Sequence, residues 1–204
     1  MRRFLLTSCL SILIGSAANA QIRIHEDFEN STILDWTEYA DRDVSAIIKM
    51  GAIHMDVHEE GWRISCTTEL PVVPEYDFRI KVKLLIPKIS KEDYFGVLFD
   101  MDDKFNKLAF IFSEDSFDIG ILNRGQFVEE YGDSRRIKLK KGRNVEMEFE
   151  LIRSGGSVIV QYNNIEIFRQ KRPIHSPHFG FITNSKLRVE DLILEQDYSG
   201  QEMQ

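Results

Sequence analysis

The sequence predicts an all-β domain, a sandwich or a barrel, on three observations. Apolar and polar residues alternate in short runs along most of the chain, turn residues punctuate those runs at regular spacing, and no stretch carries a convincing helical period. Successive side chains leave a strand on opposite faces, so a period of two marks a strand with one buried face. The clearest block runs from Tyr94 to Leu122. Phe95, Val97 and Phe99 share one face there, as do Leu108, Phe110 and Phe112, and then Phe117, Ile119 and Ile121. The turns Asp100–Lys104 and Ser113–Ser116 are polar and short enough for hairpins, so the block predicts an antiparallel meander with a phenylalanine-rich inner face.

The elements follow in order. Residues 1–20 have the form of a cleavable export signal: Arg2 and Arg3, an apolar run from Phe4 to Ile14, and Ala18-Asn19-Ala20 as the cleavage site. This predicts a secreted or periplasmic protein starting near Gln21. Leu6-Thr7-Ser8-Cys9 has the outline of a lipobox, but Cys9 lies in the middle of the apolar run, which argues against a lipid anchor. The Arg2-Arg3 pair lacks the rest of a twin-arginine motif, and no later stretch approaches the ~20 apolar residues of a membrane-spanning helix. Ile22, Ile24 and Phe28 alternate in the first strand. Short runs follow at 45–49, 52–58 and 62–67, broken by Gly51 and Gly61. Phe78 to Leu84 alternates without a fault, with Phe78, Ile80, Val82 and Leu84 facing one way and Arg79, Lys81 and Lys83 the other. Beyond the meander, strands are predicted at 126–131, 144–151, 158–162, 165–169, 178–183 and 187–194. This gives one domain over 21–197 with a tail at 198–204.

The formal net charge is −7, and removing a leader that carries Arg2 and Arg3 makes the remainder more acidic. No basic stripe is present, which argues against nucleic acid and anionic membrane surfaces as partners. Cys66 is the only cysteine outside the leader, so no intrachain disulfide is available, and its apolar surroundings predict a buried, inert thiol. Arg79, Lys81 and Lys83 face out of one strand and Glu146, Glu148 and Glu150 out of another. These two strands are expected to be neighbours in one sheet.

An acidic-aromatic start (Glu26-Asp27-Phe28-Glu29), then Trp36-Thr37, precedes a strand of the form Phe-Arg-Ile-Lys-Val-Lys-Leu-Leu-Ile. A Gly96–Asp100 to Asn106–Phe112 hairpin follows, then the strand from Gly142 to Glu150, Val158–Asn164, Phe179-Gly180-Phe181 and Leu187–Leu192. This order resembles the concanavalin A-like jelly roll of laminin-G-type domains, legume-type lectins, family-16 glycoside hydrolases and 3-keto-disaccharide hydrolases. The resemblance spans nearly all of 21–197 and implies a two-sheet antiparallel jelly-roll β-sandwich. It also implies carbohydrate as the ligand class, because members of that fold commonly bind sugars on one sheet.

Four sets of residues are candidates for chemistry. Glu146, Glu148 and Glu150 resemble the Glu-x-Asp-x-Glu strand of family-16 glycosidases, which supplies the two carboxyl groups about 5–5.5 Å apart that retaining hydrolysis needs. The middle residue departs from that pattern, no tryptophan precedes the trio, and a face paired with the basic strand accounts for the same residues. His54-x-Asp56-x-His58 alternates on one face and has metal-ligand chemistry without a fourth ligand; His175 and His178 have no identifiable partner in sequence. Asp191 shares parity with Leu187, Val189 and Ile193, so it points to the core unless a bulge intervenes. With Asp27 and Glu29, and Glu26 beside them, it is the candidate for a structural Ca2+ such as many sandwich domains hold between their termini. Asp100-x-Asp102-Asp103 lacks the glycine and glutamate of a calcium loop and reads as a solvated turn. Trp62, Tyr39 and Tyr131 are the candidate sugar-stacking faces, and Trp36 reads as structural. The expectation is an exported, lectin-like carbohydrate-binding or other extracytoplasmic ligand-binding domain without evident catalytic machinery. The alternatives are a glycoside hydrolase using the three glutamates and an assembly subunit that binds a cell-envelope or extracellular protein.

Overall fold

The computed structural model describes residues 21–29, 32–88, 90–100, 106–114, 116–123, 126–130 and 143–197. Its strands are β1 (Gln21–Glu26), β2 (Tyr39–Ala40), β3 (Val44–Lys49), β4 (Ala52–Val57), β5 (Ile64–Glu69), β6 (Phe78–Lys88), β7 (Tyr94–Phe99) and β8 (Asn106–Ser113). The chain continues with β9 (Phe117–Asn123), β10 (Gln126–Glu130), β11 (Arg143–Ser154), β12 (Ser157–Tyr162), β13 (Ile165–Lys171), β14 (His178–Thr183) and β15 (Lys186–Asp197). Two antiparallel sheets result. One runs β13-β12-β11-β6-β15-β4-β3-β2 with β1 also on β15, and the other runs β10-β9-β8-β7-β14-β5. The predicted meander is β7-β8-β9, and every inner-face residue assigned to it packs in or against the core. The short β2 carries no apolar alternation and escaped the sequence pattern.

The core is a layer of aromatic rings between the two sheets. Phe110 lies 5.8 Å from Phe149 across the sandwich, and Phe112 lies 6.2 Å from Phe149 and 5.9 Å from Tyr162. Phe78 meets Phe99 at 5.9 Å, which ties β6 to β7. Each fully buried phenylalanine stabilises the fold by about 1.5–3 kcal/mol, and a well-placed ring pair adds about 0.5–1.5 kcal/mol. Trp36 is the structural residue the sequence predicted: it is buried, stacked on Phe181 at 5.6 Å and edge-on to Phe28 at 6.0 Å.

Where the sheets need close strand approach, glycine supplies it. A Cβ on Gly180 of β14 would sit 2.5 Å from the Cys66 carbonyl oxygen on β5, and one on Gly96 of β7 would sit 2.6 Å from the Phe110 carbonyl oxygen on β8. Neither clash can be relieved by turning a side chain, because backbone is in the way.

Two expectations are corrected by local geometry. The pairing of β15 with β6 slips between Val189 and Asp191, so Glu190 is an extra residue and the strand changes phase. Leu187 and Val189 point inward before the slip, and Leu192 and Leu194 after it. Asp191 therefore points outward, away from the core. Asp100 is not part of a solvated turn: its side chain is 1 % exposed and pairs with Arg172 at 2.9 Å. It also accepts the backbone N–H of His175 at 2.6 Å and of Ser176 at 3.2 Å, which fastens the stretch before β14 to the end of β7. Asp102 and Asp103 lie outside the described residues.

Two outcomes follow. Gly180→Ala lowers the unfolding free energy by about 1–3 kcal/mol, the cost of overpacking against fixed backbone, read from the urea midpoint. Asp100→Ala removes the carboxylate that pairs with the largely buried Arg172 side chain and accepts the His175 and Ser176 N–H groups, and it costs about 3–5 kcal/mol in the same assay.

Candidate functional site

With one face of each sheet committed to the core, ligand chemistry is left to the outer faces. Pairing on the six-stranded sheet aligns Ser65, Ile182, Gly96, Ile111 and Asp118 in one row, with Tyr94 opposite Ser113 beside it. Leu98, Ala109, Ile111, Leu122 and Ile182 form a second apolar cluster on this face, and Tyr94 packs against it. A cleft of about 340 Å3 opens over the cluster. Tyr94, Ile111, Leu122 and Ile182 line its apolar part, and Arg63, Lys91, Glu92, Asp93, Ser113 and Asp118 supply polar groups of both signs. Gly96 lies in the middle of the row, where its missing side chain leaves room for the Ile111 side chain.

Several rim groups are held in place. Ser116 Oγ donates to Asp118 Oδ2 at 3.1 Å and exchanges a 2.7 Å bond with Ser113 Oγ. Tyr94 N–H donates to Asn184 Oδ1 at 2.7 Å, Asn184 Nδ2 donates to the Glu92 carbonyl at 2.9 Å, and Thr183 Oγ1 donates to the Tyr94 carbonyl at 2.9 Å. Asp93 Oδ2 accepts both the N–H and the hydroxyl of Ser90 at 2.7 Å. Such a rim loses little conformational freedom when a ligand arrives.

The stacking faces nominated from sequence lie elsewhere. Trp62 is 49 % exposed in the turn before β5, and its neighbour Arg63 reaches the cleft in its place. Tyr39 is 51 % exposed on the other sheet and donates its hydroxyl to Asp41, which pushes the phenol up and holds the Asp41 carboxyl low. Tyr131 lies outside the described residues. The aromatic that does line the cleft, Tyr94, carried a sequence signal: it has the opposite parity to Phe95, Val97 and Phe99, which places it on the outer face.

The glutamate trio lies on the outer face of the nine-stranded sheet, where β11 pairs with β6 as expected. Its partners are diagonal neighbours: Arg79 Nε to Glu150 at 2.6 Å, Lys81 to Glu148 at 2.9 Å and Lys83 to Glu146 at 3.7 Å. Lys83 also reaches Glu190 at 3.1 Å, and that contact leads the causes that push the lysine up. None of the three glutamates lines one of the clefts described here.

The nominated calcium ligands have partners within the protein. Asp191 Oδ1 accepts from His25 Nε2 at 2.7 Å on the outer face, and Asp27 accepts the Glu29 N–H at 3.0 Å. The buried carboxylate near the start of the chain is Glu26, which binds the N–H groups of Ile33 and Leu34 at 2.6 and 3.1 Å. Among the described residues no group of three His, Cys, Asp or Glu side chains is arranged to hold a metal ion. His54, Asp56 and His58 share a face, with His58 Nδ1 3.6 Å from Asp56. His175 and His178 do have partners, in the Asp100 network and in a 2.7 Å bond between His178 Nδ1 and Ser176 Oγ.

No family model matches the sequence, and no curated protein matches it. Solved structures match the fold. The carbohydrate recognition domain of Emp47p superposes with a TM-score of 0.60 at 10 % identity, over 83 % of this chain and 92 % of that one. A laminarinase from Flavobacterium sp. UMI-01 gives 0.57 at 11 % identity, over 84 % and 98 %. A protein of unknown function from Shewanella oneidensis MR-1 gives 0.58 at 10 % identity, over the full length of both. The chain thus has the concanavalin A-like jelly-roll fold, shared with lectin domains and glycan-processing enzymes.

Cys66 is fully buried, its thiol donates to the Thr37 carbonyl at 3.3 Å, and burial pushes it up to about 12. Iodoacetamide at pH 8 therefore leaves Cys66 unmodified in the native protein and alkylates it only in denaturant, as mass spectrometry of its peptide will record.

Proposed function

We propose that this protein is a carbohydrate-binding module that works outside the cytoplasm, and that its sugar site is the cleft on the six-stranded sheet. The observation that carries the reading is the composition of that cleft: an aromatic and aliphatic floor ringed by donors and acceptors fixed in advance. A pyranose ring has matching surfaces, with apolar C–H faces that pack on an aromatic ring and hydroxyls that both donate and accept. A volume of about 340 Å3 suits one or two sugar rings better than a long chain. The jelly-roll fold supports the ligand class by analogy. The charged leader, apolar run and Ala-x-Ala of residues 1–20 support export to the periplasm or the medium. The reading gives Glu146, Glu148 and Glu150 no bond-breaking role, because their cross-strand cations account for them.

The test is thermal unfolding against a panel of oligosaccharides, followed by titration with any that shifts the transition. A ligand at a hundredfold excess over its Kd stabilises the native state by about 2.7 kcal/mol. Tyr94→Ala and Asp118→Asn are each expected to weaken binding about tenfold, equivalent to about 1.4 kcal/mol. A panel without a single shift overturns the reading, and so does a bound sugar that ignores both substitutions.

A further inference from the structure

The outer face of the nine-stranded sheet carries another cleft, of about 280 Å3, far from the aromatic one in chemistry. Strand pairing builds it. Ile47 lies opposite His54, His54 opposite Arg188 and Arg188 opposite Leu85, while the adjacent row brings Ser45, Asp56 and Lys186 together. Lys49 closes one end. In an acidic protein this is a local excess of cations, with Lys49, Lys186 and Arg188 lining the cleft against the carboxylate Asp56 and with Glu190 beside Arg188.

Three polar atoms in the cleft are buried and have no hydrogen-bond partner among the described residues: His54 Nε2, Asp56 Oδ1 and Arg188 Nε. Arg188 Nε comes only within 3.6 Å of Glu190 and Asp56 Oδ1 only within 3.6 Å of His58 Nδ1, both beyond hydrogen-bond distance, while Lys186 satisfies the other Asp56 oxygen, Oδ2, at 3.0 Å. Burial first, then Arg188 and Lys49, hold the His54 imidazole below its ordinary range, and its remaining ring nitrogen bonds the Lys49 backbone. The ring is therefore neutral, with Nδ1 donating to the carbonyl and Nε2 left as an acceptor. The unmet groups are two acceptors, His54 Nε2 and Asp56 Oδ1, beside one donor, Arg188 Nε, in a positive field.

That combination selects among ligand classes. A fully ionised sulfate or phosphate offers only acceptors, so it leaves His54 and Asp56 unmet and is repelled by the carboxylate. A neutral sugar offers hydroxyls but leaves the cation excess uncompensated. A hydroxylated carboxylate answers both, its hydroxyls donating to His54 Nε2 and Asp56 Oδ1 while its carboxylate accepts from Arg188 and faces Lys49. We propose that the cleft formed by His54, Asp56, Lys49, Lys186 and Arg188 binds a sugar acid, such as a uronate residue of an acidic glycan. This site is on the opposite sheet from the aromatic cleft and stands whether or not that cleft takes a sugar.

The experiment titrates D-glucuronate into the protein and follows the His54 ring resonances by NMR, with His25, His175 and His178 as internal references. D-glucose and inorganic sulfate are the comparison probes. Saturable binding of glucuronate, with glucose and sulfate at least about tenfold weaker, is the expected result. Arg188→Leu and Lys49→Met are each expected to weaken glucuronate about tenfold; Lys49 is exposed, so the second variant tests the idea even if the first unfolds. Lys81→Met removes the same charge from the same sheet outside the cleft and leaves glucuronate binding unchanged. Equal binding of sulfate overturns the proposal in favour of charge attraction alone, and equal binding of glucose removes the role of the carboxylate. No binding, or binding indifferent to both cleft variants, overturns it outright.

Discussion

The ring layer between the two sheets governs everything else in this molecule. Phe110 and Phe112 from one sheet meet Phe149 and Tyr162 from the other, and Phe78 meets Phe99. Aromatic rings carry the largest apolar area per residue, so a chain without a disulfide stabilises its sandwich chiefly by aligning them. That alignment uses one face of every long strand, and recognition is left to the outward parity. The outward residues differ between the sheets: the six-stranded sheet shows isoleucine, leucine and glycine around Tyr94, whereas the nine-stranded sheet shows a lattice of opposite charges.

The charge lattice contributes order more than stability. Exposed pairs such as Lys81–Glu148 contribute about 0–1 kcal/mol each, less at physiological salt. Arranged diagonally along β6 and β11, however, they disfavour a slip of one strand past the other, since a shift of one residue would carry the charges to the core face. The same residues that resemble a catalytic strand in sequence thus act here as a register device.

Most of the fold was legible in the sequence, and the residues show why. Alternation in Phe78–Leu84, in Asn144–Leu151 and in the meander reports local backbone geometry directly, and the opposite charges of β6 and β11 reported a nonlocal pairing. What alternation does not report is which outward face forms a cleft, so it does not separate Trp62 and Tyr39 from Tyr94, which lines the pocket. The parity of Asp191 holds only along an unbroken β15, and the slip at Glu190 breaks it. The change from Leu187 and Val189 to Leu192 and Leu194 was itself written in the chain, as a break in phase. Asp100 looked solvated because its acidic neighbours did; its partner Arg172 is far away in sequence and only the folded chain brings them together.

The slip at Glu190 coincides with a change of partner. Along one edge, β15 pairs with β4 through residues 186–189 and with β1 through residues 192–197, while β6 occupies the other edge from Arg188 to Gln196. The first strand of the domain is thus a short patch laid over backbone that would otherwise stand open. It begins at Gln21, the residue that the expected leader cleavage exposes. A chain lacking those six residues would present an unpaired ribbon of amides beside an intact core, the kind of edge that recruits a strand from another molecule. Trimming the amino terminus is accordingly a route to self-association that leaves both clefts in place.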